Sequence, residues 1–212
     1  MASGDAVRFG GGKLTAPFRG RPLIAYIIEK IIKIPFAASV VVTRQQPVAD
    51  VARGMGMHVL LHDQPLVSDT ISLGTRYIMD TQRDDGQLVP QERISGCMYC
   101  VADQPLLTLN TLHRMTDSFA SWPDCIIRLA WRSGQDGSIR YANPVIFPAS
   151  MFPLLTSLPP GQTGRYVIQS HKDAVRCVFA DQEQELWDVD TKEELDRMQA
   201  AADDTIFNNS AY

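Results

Sequence analysis

Met1–Leu14 reads MASGDAVRFGGGKL, and the rest of the chain is arranged around it. It carries four glycines, one arginine and one lysine and runs straight into an apolar helical pattern. Glycines let a backbone turn tightly and bring its N–H groups close to an anion. A helix that follows adds the positive end of its dipole, and Arg8 and Lys13 add full charges. The combination points to a loop that wraps phosphate groups. It is neither a dinucleotide fingerprint nor a P-loop. Gly4 to Lys13 is Gly-x-x-x-Arg-x-Gly-Gly-Gly-Lys, and Leu14 stands where a P-loop needs Ser or Thr. On its own the stretch is also compatible with a plain basic segment.

Downstream, Pro22 suits a first helical turn, and Leu23, Ile27, Ile28, Ile31 and Ile32 fall on one helical face before Pro35 ends the run. Residues 38–43 (ASVVVT) read as a buried parallel strand, 47–54 as a helix, and 57–61 (MHVLL) as another strand. This alternation predicts an α/β fold with helices on both faces of a mostly parallel sheet. Residues 68–79 open a helix that Ser68 or Asp69 can cap, and 83–91 read as a surface loop. SGCMYCV at 95–101 reads as the central strand, and Thr108 caps a helix reaching Ser121. CIIRLAW at 125–131 is a further strand, and the glycine-rich 132–140 reads as a hairpin or excursion. A short helix is expected over 150–158, a second glycine loop over 159–165, and strands over 174–180 and 185–189. Thr191 and Glu194 form a capping box that starts the last helix. The boundaries expected are a single domain over 1–203 and a tail over 204–212.

Two carboxylate positions carry chemistry. Asp103 directly follows the strand read as central, and in an open parallel sheet ligands bind at the carboxyl ends of strands. A carboxylate facing a phosphate loop can hold Mg²⁺, although a loop aspartate or helix cap has the same local sequence. Asp188 and Asp190 again sit at a strand end before a capped helix, where Asp190 could equally serve the helix terminus by its charge.

Taken together, the pieces resemble the MobA-like nucleotidyltransferases, and most of all the molybdenum cofactor cytidylyltransferases. MASGDAVRFGGGKL is similar to their Ala-x-Gly…Arg-x-Gly-x-x-Lys-Leu signature, and VADQPLLT to their strand-end Asp-x-Pro segment. SDTISLG, NPVIFP, PPGQTGRYV and WDVDTKEEL resemble later segments in the same order. The resemblance implies a three-layer Rossmann-like fold of the nucleotide-diphospho-sugar transferase type. It implies that CMP is joined from CTP to molybdopterin with release of pyrophosphate, with Mg²⁺ as cofactor. It implies nucleotide binding by Ala2, Ser3, Gly4, Arg8, Gly10, Lys13 and Ser72, with Arg8, Lys13 and Asp103 catalytic. Asp103 and Asp190 would hold the metal, and Asn143 and Arg165 would face the acceptor. A molybdenum hydroxylase is the implied transient partner. The family also carries an apolar first strand ahead of the loop, whereas this sequence opens at the loop itself, so that strand is expected to be missing. Gln162 stands where an Asp is common, and Ala102 where a Gly is common.

Composition fits this class. The chain has 212 residues, 45% apolar and 21% charged, and a net charge of -4. It predicts no general nucleic-acid footprint, no membrane span and no signal peptide, so a cytoplasmic protein is expected. Cys97, Cys100, Cys125 and Cys177 read as reduced thiols; Cys97 and Cys100, at i and i+3 on a strand, point to opposite faces and make no metal pair. The Arg128–Arg132 pair with Arg140 is either a solvated face or an attractor for an anionic acceptor. GTP in place of CTP, a sugar-1-phosphate acceptor, or a non-catalytic nucleotide- or pterin-binding chaperone remain open alternatives. A nicotinamide dehydrogenase does not fit, because the loop lacks GxGxxG.

Overall fold

The computed structural model describes residues 8–80 and 94–209, with side chains described as far as residue 200. Among the described residues the chain is an α/β protein of three sheets, one of them a short hairpin, and seven α-helices. The first elements are a hairpin of β1 (Pro17–Phe18) and β2 (Arg21–Pro22), turned by Arg19 at φ 47° and Gly20 at φ 78°. Two central residues at positive φ make the tight turn whose twist suits a two-residue hairpin. Pro22 therefore lies in this hairpin rather than in the first turn of a helix. Helix α1 (Ala25–Ile32) follows with Ile27 and Ile28 buried, while Ile32 is exposed, since the apolar stripe already runs through Ile24, Ile27, Ile28 and Ile31.

Next, β3 (Val40–Thr43) pairs in parallel with β4 (His58–Leu61), joined by α2 (Gln46–Gly54), the expected strand–helix–strand unit. Helix α3 (Val67–Asp80) starts one residue earlier than expected, and Asp69 accepts a hydrogen bond from the Leu66 amide at 3.1 Å.

The larger sheet holds β5 (Gly96–Tyr99), β6 (Ile126–Arg132), β7 (Ile139–Pro148) and β8 (Val175–Phe179), in the order β5-β7-β6-β8. Helix α4 (Leu109–Ser121), capped by Thr108, packs against β6 and β8. The sheet is mixed rather than mostly parallel. β6 turns back at 133–138, where the Ser133 amide donates to the Ser138 carbonyl at 2.9 Å, so β7 threads antiparallel between β5 and β6. Only β6 and β8 are parallel here. The expected central strand β5 is consequently an edge of its own sheet. β7 bulges where Pro144 cannot donate to the ladder, and register shifts between Arg128 and Leu129 opposite Asn143 and Pro144.

Helices α5 (Phe152–Thr156) and α6 (Gly164–Ser170) cover one face together with α3, around Phe147, Leu155 and Val167. The other face carries α1, α2, α4 and α7 (Lys192–Asn209), around Leu23, Ile28, Leu112 and Leu129. Each such fully buried Leu or Ile contributes on the order of 1.5–3 kcal/mol. Helix α7 reaches Asn209 and so runs into the stretch expected as a tail. The strand expected over 185–189 is instead a 3₁₀ turn, Glu183–Leu186. Its cause is the buried Glu185 carboxylate. It accepts from the Thr108 amide at 3.0 Å, the Thr108 hydroxyl at 2.7 Å and the Asp181 amide at 3.1 Å, and these bonds fold the segment back.

Among the described residues no ladder joins β3 to β5. Between their facing edges lies an apolar cavity of about 640 Å³, lined by Ile28, Val41, Gly74, Met98 and Phe119 among others.

Candidate active site

The glycine loop takes the tight path its composition calls for. Gly10, Gly11 and Gly12 lie at φ 82°, 94° and 65°, a run of left-handed backbone that L side chains rarely adopt. Phe9 and Leu14, both buried, pin the loop to the core on either side of the glycines. Lys13–Thr15 forms a 3₁₀ turn closed by Thr15 and Ala16 amides on the Gly12 carbonyl, and this turn rests on α2.

The loop delivers Lys13 to the acidic end of the sheet. Lys13 Nζ donates to Asp103 Oδ2 at 2.7 Å and lies 3.5 Å from Asp190 Oδ1. Arg8 Nη1 stands 3.5 Å from Asp190 Oδ2. Burial is graded: the side chain of Lys13 is 12% exposed, Asp103 20%, Asp190 45% and Arg8 79%. Asp103 Oδ1 is buried and has no hydrogen-bond partner.

The two acids are held in register by backbone. The Val189 amide donates to the Asp103 carbonyl at 3.0 Å. The Glu194 carboxylate accepts from the Asp190 amide at 2.8 Å and the Thr191 amide at 2.9 Å, while the Glu194 amide donates to the Thr191 hydroxyl at 3.2 Å. The expected capping box is thus present, and it also fixes the backbone at Asp190. Asp188 lies close by; burial first, and then the carboxylates of Asp103 and Asp190, push its own carboxyl above the usual range.

Arg8, Lys13, Asp103 and Asp190 therefore meet at one place, with Gly10 in the loop between the two basic residues, whereas Ala2, Ser3 and Gly4 lie outside the described residues. Ser72 is not brought there. Its hydroxyl donates to the Thr156 carbonyl at 3.1 Å and accepts from Arg76 at 3.2 Å, tying α3 to α5. Asn143 sits half-buried on the bulge of β7, and Arg165 is exposed at the start of α6. Gln162 is exposed in the second glycine loop, which is anchored to α3 by the Gly161 amide on the Ser68 hydroxyl at 3.1 Å. Phe9 as an anchor of the loop is a position the sequence did not single out, and the Glu194 of the expected capping box has the further effect of holding the Asp190 amide.

Among the described residues no group of three or more His, Cys, Asp or Glu is disposed to hold a metal ion. A two-carboxylate site nevertheless fits a divalent cation. Asp103 offers an orphaned buried oxygen, Asp190 faces solvent, and a hard cation takes few protein carboxylates when substrate phosphates complete its shell. The large apolar cavity between β3 and β5 is a separate feature: it reaches Ala102 but neither Lys13, Asp103 nor Asp190.

Over residues 1–175 the chain matches the profile of the MobA-like NTP transferase domain. No curated protein matches it. Among solved structures it is similar to Rv0371c from Mycobacterium tuberculosis H37Rv at 19% identity, over 93% of this chain and 94% of that one, with a TM-score of 0.72. The same mycobacterial protein in complex with manganese matches at 19% identity over 94% and 95%, TM-score 0.67. A nucleotidyl transferase from Methanothermobacter thermautotroptrophicus matches at 20% identity over 94% of both chains, TM-score 0.71. CMP:2-keto-3-deoxy-manno-octonic acid synthetase complexed with CTP matches at 11% identity over 97% and 96%, TM-score 0.67. These likenesses show the fold.

Proposed function

Because the chain belongs to the MobA-like NTP transferase family, we propose that this nucleotidyltransferase joins CMP from CTP to molybdopterin and releases pyrophosphate. The observation that carries the reading is Lys13 Nζ set between Asp103 and Asp190 at the end of the glycine loop. The order of segments through NPVIFP, PPGQTGRYV and WDVDTKEEL supports the acceptor, and a CTP-bound structural neighbour supports the base. A manganese-bound neighbour supports a divalent cation, taken here as magnesium.

In this reading the backbone amides around Gly10–Gly12 and the side chains of Arg8 and Lys13 hold the β- and γ-phosphates. Arg8 is exposed and can swing from Asp190 onto the triphosphate, and Lys13 exchanges a carboxylate for a phosphate at short range. Asp103 and Asp190 would hold Mg²⁺, which when bound neutralises charge on the phosphates. The terminal phosphate of the acceptor attacks the α-phosphorus in line; the bond to the bridging oxygen breaks and pyrophosphate leaves. Catalysis is then positioning and charge neutralisation. No enzyme nucleophile takes part, and the thiols nearest the site agree: burial pushes Cys97 up to about 11 and Cys100 up to about 12, far from a thiolate at neutral pH.

The test is direct. Protein, Mg²⁺ and molybdopterin are incubated with CTP or GTP, and pyrophosphate is measured. Release with CTP in preference to GTP is expected. No release with any nucleoside triphosphate across molybdopterin and a sugar-1-phosphate panel overturns the assignment.

A further inference from the structure

Lys30 of α1 is half-buried, and its ammonium donates to the Tyr26 carbonyl at 3.0 Å and to the Pro105 carbonyl at 2.9 Å. It also lies 5.8 Å from the centre of the Tyr26 ring, whose hydroxyl donates to the Phe18 carbonyl at 2.9 Å. The acids around it are engaged elsewhere. Glu29 pairs with Arg21 at 2.7 Å, and Glu185 accepts from Thr108 and Asp181. Two carbonyls and a ring face therefore hold the charge. Burial lowers its pKa to about 8, so at neutral pH the ammonium is kept there at a cost to folding that an apolar side chain of similar length would avoid. A group that costs stability is expected where function needs it.

The segment it reaches bears a carboxylate of the metal site. Asp103, Gln104 and Pro105 are each tethered to another part of the chain. The Asp103 carbonyl accepts from the Val189 amide at 3.0 Å, the Gln104 side-chain amide donates to the Leu186 carbonyl at 3.3 Å, and the Pro105 carbonyl accepts from Lys30. The first two ties come from the chain just ahead of Asp190. The third comes from the side of the glycine loop, because α1 is joined to that loop: the Leu23 and Ile24 amides donate to the Ala16 and Leu14 carbonyls, each at 3.0 Å. These contacts close a ring. It runs from Lys13 through Leu14 and Ile24 into α1, through Lys30 and Pro105 to Asp103, and back to Lys13 over the 2.7 Å ion pair. Once a divalent cation takes the place of the Lys13 ammonium on Asp103, the ring opens at that point, and the Lys30 bond is the tie that keeps the two segments in register.

We propose that Lys30 is a positioning residue for Asp103, and that through the Pro105 carbonyl it sets how tightly the two-carboxylate site binds a divalent cation. This rests on the nucleotidyltransferase reading, which gives Asp103 its metal.

Manganese is the probe. It is titrated into the full chain alone and with CTP, the free ion being followed by its electron paramagnetic resonance signal and its binding to CTP itself subtracted. Melting temperature and metal-free CTP binding are measured alongside. Lys30→Met should weaken Mn²⁺ binding about tenfold, the scale on which a group that orients a metal ligand acts, and leave metal-free CTP binding little changed. Lys30→Gln, which keeps a donor toward Pro105, should recover part of the loss. Unchanged Mn²⁺ binding in Lys30→Met overturns the proposal. So does a loss of Mn²⁺ and CTP binding together, in step with the melting temperature, which marks a purely structural role. If Lys30→Met does not fold, Lys30→Gln decides: Mn²⁺ binding weaker than wild type supports the proposal, and binding equal to wild type overturns it. If wild type binds no Mn²⁺, alone or with CTP, the metal site of the nucleotidyltransferase reading fails and this proposal falls with it; if wild type binds and Lys30→Met binds equally, the role of Lys30 alone fails.

Discussion

The amide of Val189 donates to the carbonyl of Asp103 across 3.0 Å, joining two segments that lie more than eighty residues apart in the chain. Through this bond the loop after β5 and the loop before α7 present Asp103 and Asp190 as one unit to Lys13.

Lys13 compensates that unit. Lys13→Ala is expected to weaken CTP binding by tenfold or more, the loss of one charged contact being about 1.5–3 kcal/mol. It also leaves Asp103 without its cation and Asp190 with only the exposed Arg8, so the melting temperature should fall at pH 7. The deficit should narrow at acidic pH as Asp188, whose carboxyl is already pushed up by burial and its acidic neighbours, takes up a proton. Millimolar Mg²⁺ should restore part of the lost melting temperature. A variant that melts like wild type, with or without Mg²⁺, would contradict the geometry.

Asp103 makes a different prediction. Asp103→Asn keeps a side chain of the same shape beside Lys13 but removes the charge. Pyrophosphate release should fall by about two orders of magnitude or more, as for loss of a group acting on developing charge, while CTP binding and thermal stability change little. Binding of molybdopterin with no turnover in wild type, unaffected by this substitution, would mark a carrier instead of an enzyme.

Glu194 accepts from the Asp190 and Thr191 amides and so positions Asp190. Glu194→Ala should cost about 1 kcal/mol of stability as a lost cap. It should also raise the Mg²⁺ concentration needed for half-maximal activity more than it raises the KM for CTP. Glu194→Gln, which still accepts from both amides, should recover most of the metal dependence. Equal effects on Mg²⁺ and CTP would count against a positioning role.

Lys30 sets a pH dependence of folding. Its ammonium donates to the Tyr26 and Pro105 carbonyls at 3.0 and 2.9 Å, and burial lowers its pKa to about 8 from an ordinary 10.5. Between those values the unfolded chain binds a proton that the folded chain does not, so this group makes stability rise with pH across the window. Below pH 8 both states are protonated and the penalty is constant. Urea unfolding of wild type and Lys30→Met at pH 7.5, 8.5 and 9.5 should show wild type gaining relative to the variant. Parallel curves would refute it.

The residues made some of this legible and hid the rest for physical reasons. The strand–helix–strand unit of β3, α2 and β4, the glycine loop, the strand-end Asp103 and the Thr191–Glu194 cap are local patterns, and each stands where its pattern put it. Pro22 misled because a proline fits both a helix start and a strand edge. The Arg19–Gly20 turn decided between them. The mixed sheet depends on where a hairpin docks, which periodicity does not encode. The segment 185–189 is a strand candidate by sequence, but the buried Glu185 carboxylate is a tertiary acceptor that folds it back. Ser72 turned on the position of α5, a contact over eighty residues away in the chain.

The cavity between β3 and β5 has a mechanical consequence. Lys13 rides on a turn that rests on α2, part of the β3–β4 unit, whereas Asp103 and Asp190 belong to the larger sheet. The ion pair thus straddles a seam that, among the described residues, no backbone ladder stitches. Its length is governed by the softer give of packed side chains, and a triphosphate gripped by Lys13 and the acids would act as a clasp drawing the two halves of the molecule together.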